Sequence, residues 1–126
     1  MRSAALIGLI TLAACGGPKL VYEGPRMEPN EIARITIDEG TISPEERFKA
    51  KLVTFDGVPA RRTYKEIEVL PGEHTLHVAW QQFRGLDEIA AGSIPMKFEL
   101  RAGYAYTLFW IGGEQPLRFR ERPIGP

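Results

Sequence analysis

Cysteine is almost absent: the 126-residue chain has one, at position 15. A single thiol closes no internal disulfide and supplies no thiolate cluster for zinc. Histidine is nearly as scarce, with only His74 and His77. Charge of one sign is not in excess either, since 16 Lys and Arg stand against 16 Asp and Glu. That balance gives no basic face for nucleic acid and no acidic solvating tail. No apolar run reaches the roughly 20 residues that a spanning helix needs. Helical periodicity is also missing after the first few residues. These absences leave a small domain with an ordinary apolar fraction, large enough to bury roughly 65% of its unfolded surface without disulfides or metal.

What is present starts at the N-terminus. Met1-Arg2-Ser3 is a short basic start, and residues 4–12 are apolar except for Thr11. A basic start, a brief apolar stretch and small residues before a cut are the marks of a secretory leader. The leader ends in Leu12-Ala13-Ala14-Cys15, followed by Gly16-Gly17. This string resembles the lipobox of bacterial lipoproteins: Leu, two small residues, then the Cys that receives diacylglycerol. The resemblance implies that signal peptidase recognises Leu12, Ala13 and Ala14, that cleavage falls before Cys15, and that lipid on Cys15 ties the protein to a membrane. One acyl chain holds weakly and two or more hold stably. Gly16, in place of the Asp that retains such proteins at the inner membrane, implies the outer membrane of a diderm host, facing the periplasm. Removal of residues 1–14 leaves 126 − 14 = 112 residues, one domain's worth of chain.

The remaining chain reads in order. Residues 15–29 are rich in Gly and Pro and read as a tether, with Tyr22 packing back on the domain. Residues 30–120 form the domain and residues 121–126 a tail. Strands are expected over 32–38, 48–55, 64–70, 74–80, 94–100, 104–111 and 117–120, from period-two alternation and β-branched or aromatic content. Ser43-Pro44 reads as the start of a single helical turn. Asp56-Gly57, Pro71-Gly72, Ala102-Gly103 and Gly112-Gly113 are turn signals. Residues 81–92 read as an irregular exposed loop. Together these features predict an all-β protein: a single antiparallel β-sandwich of six to seven strands, preceded by a cleaved signal peptide.

Val53-Thr54-Phe55-Asp56-Gly57 and Leu70-Pro71-Gly72-Glu73-His74-Thr75-Leu76-His77-Val78 together resemble PEGA-type surface β domains and small bacterial lipoproteins. Ala102-Gly103-Tyr104, with Tyr106 two residues on, resembles the aromatic strand near the end of such domains. The resemblance implies a β-sandwich in the cell envelope. It implies no reaction and no catalytic residues.

The residues themselves agree with that silence. His74 and His77 are three apart on one strand, so they point to opposite faces and share no metal. No nucleophile set and no paired catalytic acids are visible, and Gly16-Gly17 and Gly112-Gly113 lack the context of a phosphate loop. No metal or cofactor is expected. Trp80 and Trp110 read as core. Arg61-Arg62 and Arg118, Arg120 and Arg122 read as solvated strand edges. Gln82, Phe83 and Arg84, placed on the exposed loop, are the candidate contact surface. The expected function is therefore a non-enzymatic, membrane-anchored envelope protein that binds an envelope protein or polymer and no nucleic acid, with its oligomeric state left open. The alternative is a periplasmic enzyme or enzyme inhibitor with a loop-borne site, for which a deep pocket gathering His77 with Asp87 or another acid would speak.

Overall fold

The computed structural model describes residues 19–60 and 65–125. Leu12, Ala13, Ala14 and Cys15, the leader ahead of them, Arg61, Arg62 and Tyr64 lie outside the described residues. The fold is all-β. Its strands are β1 (Lys19–Leu20), β2 (Ala33–Thr36), β3 (Gly40–Thr41), β4 (Glu46–Phe55), β5 (Val58–Pro59), β6 (Glu66–Val69), β7 (Gly72–Arg84), β8 (Asp87–Leu100), β9 (Tyr104–Trp110) and β10 (Leu117–Pro123). One sheet runs β1-β6-β2-β9-β10. The other runs β3-β4-β7-β8, with β5 beside β4. Two pairs are parallel, β1 with β6 and β2 with β9; the rest are antiparallel. The sheets are therefore mostly, and not wholly, antiparallel.

Both sheets contribute to one core, which makes the arrangement sandwich-like. Ala33, Ile35, Ile67, Val69, Tyr106, Leu108 and Leu117 enter from the first sheet. Phe48, Leu52, Phe55, Leu76, Val78, Ile94 and Leu100 enter from the second. Alternation alone puts Leu76 and Val78 inward, as it does Ile35 and Ile37. Leu52 and Phe55 are three apart, yet both are buried. A bulge between Leu52 and Thr54 reverses the parity and makes this workable. Aromatic pairs bridge the layers. Phe98 meets Tyr106 at 5.8 Å and Phe119 at 5.0 Å, and Phe48 meets Trp110 at 5.7 Å.

Turn chemistry is as the residues suggest. Asp56 and Gly57 both take positive φ, 50° and 82°, as a two-residue hairpin of this kind requires. Ser43-Pro44 departs from expectation. It makes no helix; Ser43 and Glu46 exchange backbone hydrogen bonds across a tight turn that returns β3 into β4. Proline there presets a turn as readily as a helix start.

The stretch read as a tether is partly structural. β1 adds to the edge of the first sheet, Val21 packs against the core, and the Val21 N–H donates to the Glu68 carbonyl. The Tyr22 hydroxyl accepts from the Met27 N–H at 3.0 Å, a contact within the same stretch. Arg26 grips Glu68 with two nitrogens, at 3.1 and 2.6 Å, and Arg34 adds a third contact at 3.2 Å. Glu68 is buried, so its charge depends on these partners. Stripping both arginines from a buried carboxylate costs several kcal/mol, on the order of 3–5. The interaction fixes where the N-terminal segment crosses the sheet. At the other terminus, β10 continues past Arg120 to Pro123, within the residues read as tail, because Arg122 and Pro123 still face β9.

Tyr106 is the buried titratable group with the largest consequence. Its hydroxyl donates to Glu121 Oε2 at 2.6 Å and accepts from the Arg101 N–H at 2.8 Å. Burial first, then the bond to Glu121, push its pKa up to about 12. Unfolded tyrosine ionises near pH 10. The native state thus favours the neutral phenol, and this contribution is complete below about pH 10 and lost as pH rises through about 12. Stability from urea unfolding should fall across that window, and Tyr106→Phe should flatten the fall. An unchanged slope would contradict the assignment.

Candidate contact surface on the long hairpin

β7 and β8 are the longest strands, 13 and 14 residues against four for β2 and β6. Their register runs unbroken from Gly72↔Leu100 to Gln82↔Ala90, shifts by one residue, and ends at Arg84↔Asp87. Residues 81–92 are therefore not the irregular loop that their composition suggests. They are the distal half of a hairpin closed by Gly85-Leu86. Gly85 has φ 61°, the positive value that the first position of a type II′ turn requires. β4 flanks the same half, from Glu46↔Arg84 to Lys51↔Ala79.

The root of this extension is an aromatic cluster. Trp80 meets Trp110 edge-on at 5.5 Å, and Trp110 stacks on Phe48. Trp80 lies over Gly92 on the neighbouring strand, so close that a Cβ on Gly92 would sit 2.8 Å from its ring. Glycine here admits the indole, which then covers exposed backbone.

Pairing register sorts the side chains beyond this root onto two faces. On the face continuing the core, Arg84 donates to Glu46 Oε2 through Nε and a terminal nitrogen, at 3.1 and 2.6 Å. Gln82 donates to Glu46 Oε1 at 2.9 Å. The Arg84 bond first, then that from Gln82, lowers the Glu46 pKa. On the outer face, the Phe83 ring lies under the Arg47 guanidinium at 4.7 Å and the Lys49 ammonium at 5.5 Å. Gln81 donates to Glu88 at 2.6 Å. Small side chains behind this row leave a depression of about 440 Å³ lined by Lys49, Lys51, Ala79, Trp80, Gln81 and Ala91. At the turn, Leu86 is 93% exposed and Ile89 45%.

The three residues named from sequence are thus divided. Phe83 faces outward with Arg47 and Lys49; Gln82 and Arg84 face the other way and hold Glu46. Arg47, Lys49 and Leu86 were missed. The first two alternate with Phe48 and Ala50 on β4, which places them on the outer face. Arg84-Gly85-Leu86-Asp87 was the available turn signal.

No catalytic grouping forms at the hairpin. Asp87 pairs with Arg84, seven residues along β7 from His77, about 23 Å at strand spacing. These two residues are therefore not brought together. His74 sits at the opposite end of the sandwich. Its Nδ1 lies 2.6 Å from Asp56 Oδ2 and its Nε2 2.8 Å from the Leu70 carbonyl, while the Thr75 N–H donates to Asp56 Oδ1 at 2.8 Å. Burial opposes the Asp56 charge, but the Thr75 and His74 bonds outweigh it and lower its pKa. Both ring nitrogens are occupied, so the contact locks the turn. Among the described residues no three His, Cys, Asp or Glu side chains come together to hold a metal ion, and no helix is long and apolar enough to cross a membrane. Arg118, Arg120 and Arg122 alternate along the edge strand β10, with Arg120 over the Phe109 ring at 4.6 Å.

No family model, curated protein or solved structure matches this chain. The hairpin combines paired strands, a cation–aromatic outer face and an apolar tip.

The root can be tested directly. Gly→Ala in a strand interior is ordinarily stabilising. Here Gly92→Ala should instead cost about 1–3 kcal/mol in urea unfolding, because the methyl displaces Trp80. A neutral or stabilising result would show that Trp80 does not rest on Gly92.

Proposed function

We propose that the protein is a lipid-anchored, non-enzymatic component of a bacterial cell envelope that presents the β7–β8 hairpin to another envelope component. The observation that carries the reading is the string Leu12-Ala13-Ala14-Cys15 behind an apolar leader. It accounts for the single cysteine, since a thioether-linked sulfur is no longer a free thiol. The sandwich-like domain, of the kind implied by the PEGA resemblance, supports it as a rigid mount. The hairpin supplies the contact: Phe83 under Arg47 and Lys49 offers an amphipathic strip, and the depression beside it accepts a side chain or a polymer segment. Gly16 favours the outer membrane in a diderm host.

Lipidation is read by growth with a labelled fatty acid. The wild-type protein should take up label and lose residues 1–14. The Cys15→Ser variant should take up none and remain as the uncut precursor. Cleavage of that variant, together with an unlabelled wild-type protein, would overturn the reading.

A further inference from the structure

We propose that the tip of the β7–β8 hairpin, Leu86 with Ile89, seats in the interface of the bilayer that holds Cys15. This rests on the lipoprotein reading above and names what the hairpin tip meets.

Strand directions place the anchor and the tip at one end of the sandwich. β1 is parallel to β6, so the chain ahead of Lys19 leaves toward the Glu66 end of β6. Glu66 is level with Thr36, and Thr36 with Thr107 on β9. β9 then runs on to Trp110, which packs on Phe48 and Trp80 at the root of the hairpin. Past Trp80 the hairpin continues, flanked by β4 as far as Glu46, with the Gly85 N–H donating to the Glu45 carbonyl.

Lengths then decide the matter. Lys19 is level with Ile67, Ile35 and Tyr106. Trp110 is about 13 Å beyond that level, and Gly85 about 17 Å beyond Trp80, at strand spacing. The angle between packed sheets trims the total to roughly 25–30 Å. Only four peptide links join Cys15 to Lys19, which reach at most about 14 Å. A diacylglycerol on Cys15 holds that residue at the headgroup–acyl boundary. The hairpin outreaches this tether by at least ~10 Å, so with the exit end turned to the bilayer the tip meets lipid before the tether is extended.

The tip chemistry suits a shallow, apolar contact. Leu86 projects almost wholly into solvent, Ile89 is half-exposed, and Ile111 at the same end is 47% exposed. The charges nearby are mixed. Arg84 is held by Glu46, while Glu45, Asp87 and Glu88 offset Arg47 and Lys49. Such a tip resists deep insertion and gains little from anionic headgroups. A weak contact is sufficient, because the acyl anchor makes it intramolecular and keeps the local lipid concentration high.

The test uses the lipidated full-length protein in vesicles of phosphatidylethanolamine and phosphatidylglycerol. Acylation blocks Cys15, so an introduced cysteine is the only free thiol. Leu86→Cys and Val58→Cys each carry an environment-sensitive fluorophore; both positions are exposed, and Val58 stands at the opposite end beside Asp56-Gly57. The label at 86 should shift to the blue and be quenched about twofold or more by shallow quencher lipids. The label at 58 should report water. About 0.5 M NaCl, which screens surface charge within a few ångströms, should leave the result unchanged. Equal, aqueous signals from both positions, with mass spectrometry showing acylated Cys15, would overturn the seating and leave the lipoprotein reading intact. Loss of the shift in salt would overturn the apolar contact. A label at 86 that stays aqueous but crosslinks to a protein in native membranes would make the tip a protein-docking element instead. An unacylated Cys15 would remove the lipoprotein reading, and this inference with it.

Discussion

The packing of Trp80 and Phe48 on Trp110 is the interaction on which the rest depends. It is where the two sheets last touch. Below it, side chains from both layers share one core. Above it, among the described residues, β4, β7 and β8 continue with no strand of the first sheet paired to the level of their ends. Each aromatic pair contributes only about 0.5–1.5 kcal/mol beyond its buried area. Their effect is positional: Trp80 on Gly92 and Trp110 against both Trp80 and Phe48 fix the direction in which the hairpin leaves the sandwich.

A second constraint sets how the domain meets the chain that precedes it. Glu68 is buried on the outer face of the first sheet and is neutralised by Arg26, 42 residues earlier, and by Arg34. That pairing is not a large net source of stability, since desolvation offsets much of the attraction. It does oblige residues 21–26 to cross the sheet at one place, with β1 locked to the edge beside β6. The chain is thereby fixed to the sheet from Lys19 onward, four residues after Cys15. The N-terminal end of β1 and the distal end of the long hairpin thus lie toward the same end of the sandwich.

The strands of the sandwich were legible wherever a face is buried, because burial enforces alternation: β2, β6, the first half of β7 and the second half of β8 all show it. The turns at Asp56-Gly57 and Pro71-Gly72 were legible because their φ values demand those residues. The distal hairpin was not. Gln81, Gln82, Ala90, Ala91 and Gly92 carry no period-two contrast, since beyond Trp80 no second sheet covers either face. The bulge after Leu52 was hidden for a related reason: it changes parity without changing composition. The Arg26–Glu68 pair was invisible because the sequence separates its members. Of the candidate surface, Phe83 was found by its oddity among polar neighbours. Arg47 and Lys49 need the register of β4 against β7, which only the paired strands supply.

A contact surface at the distal hairpin requires residues 81–92 to be strand and not loop. Nuclear magnetic resonance of residues 16–126 decides it through backbone contacts across the register, between Gln81 and Ala91 and between Gln82 and Ala90. Cross-strand Hα and amide contacts are expected at these pairs, with extended-chain chemical shifts up to Arg84 and from Asp87. Random-coil shifts over 81–92, with no cross-strand contacts beyond Trp80 and Gly92, would contradict it.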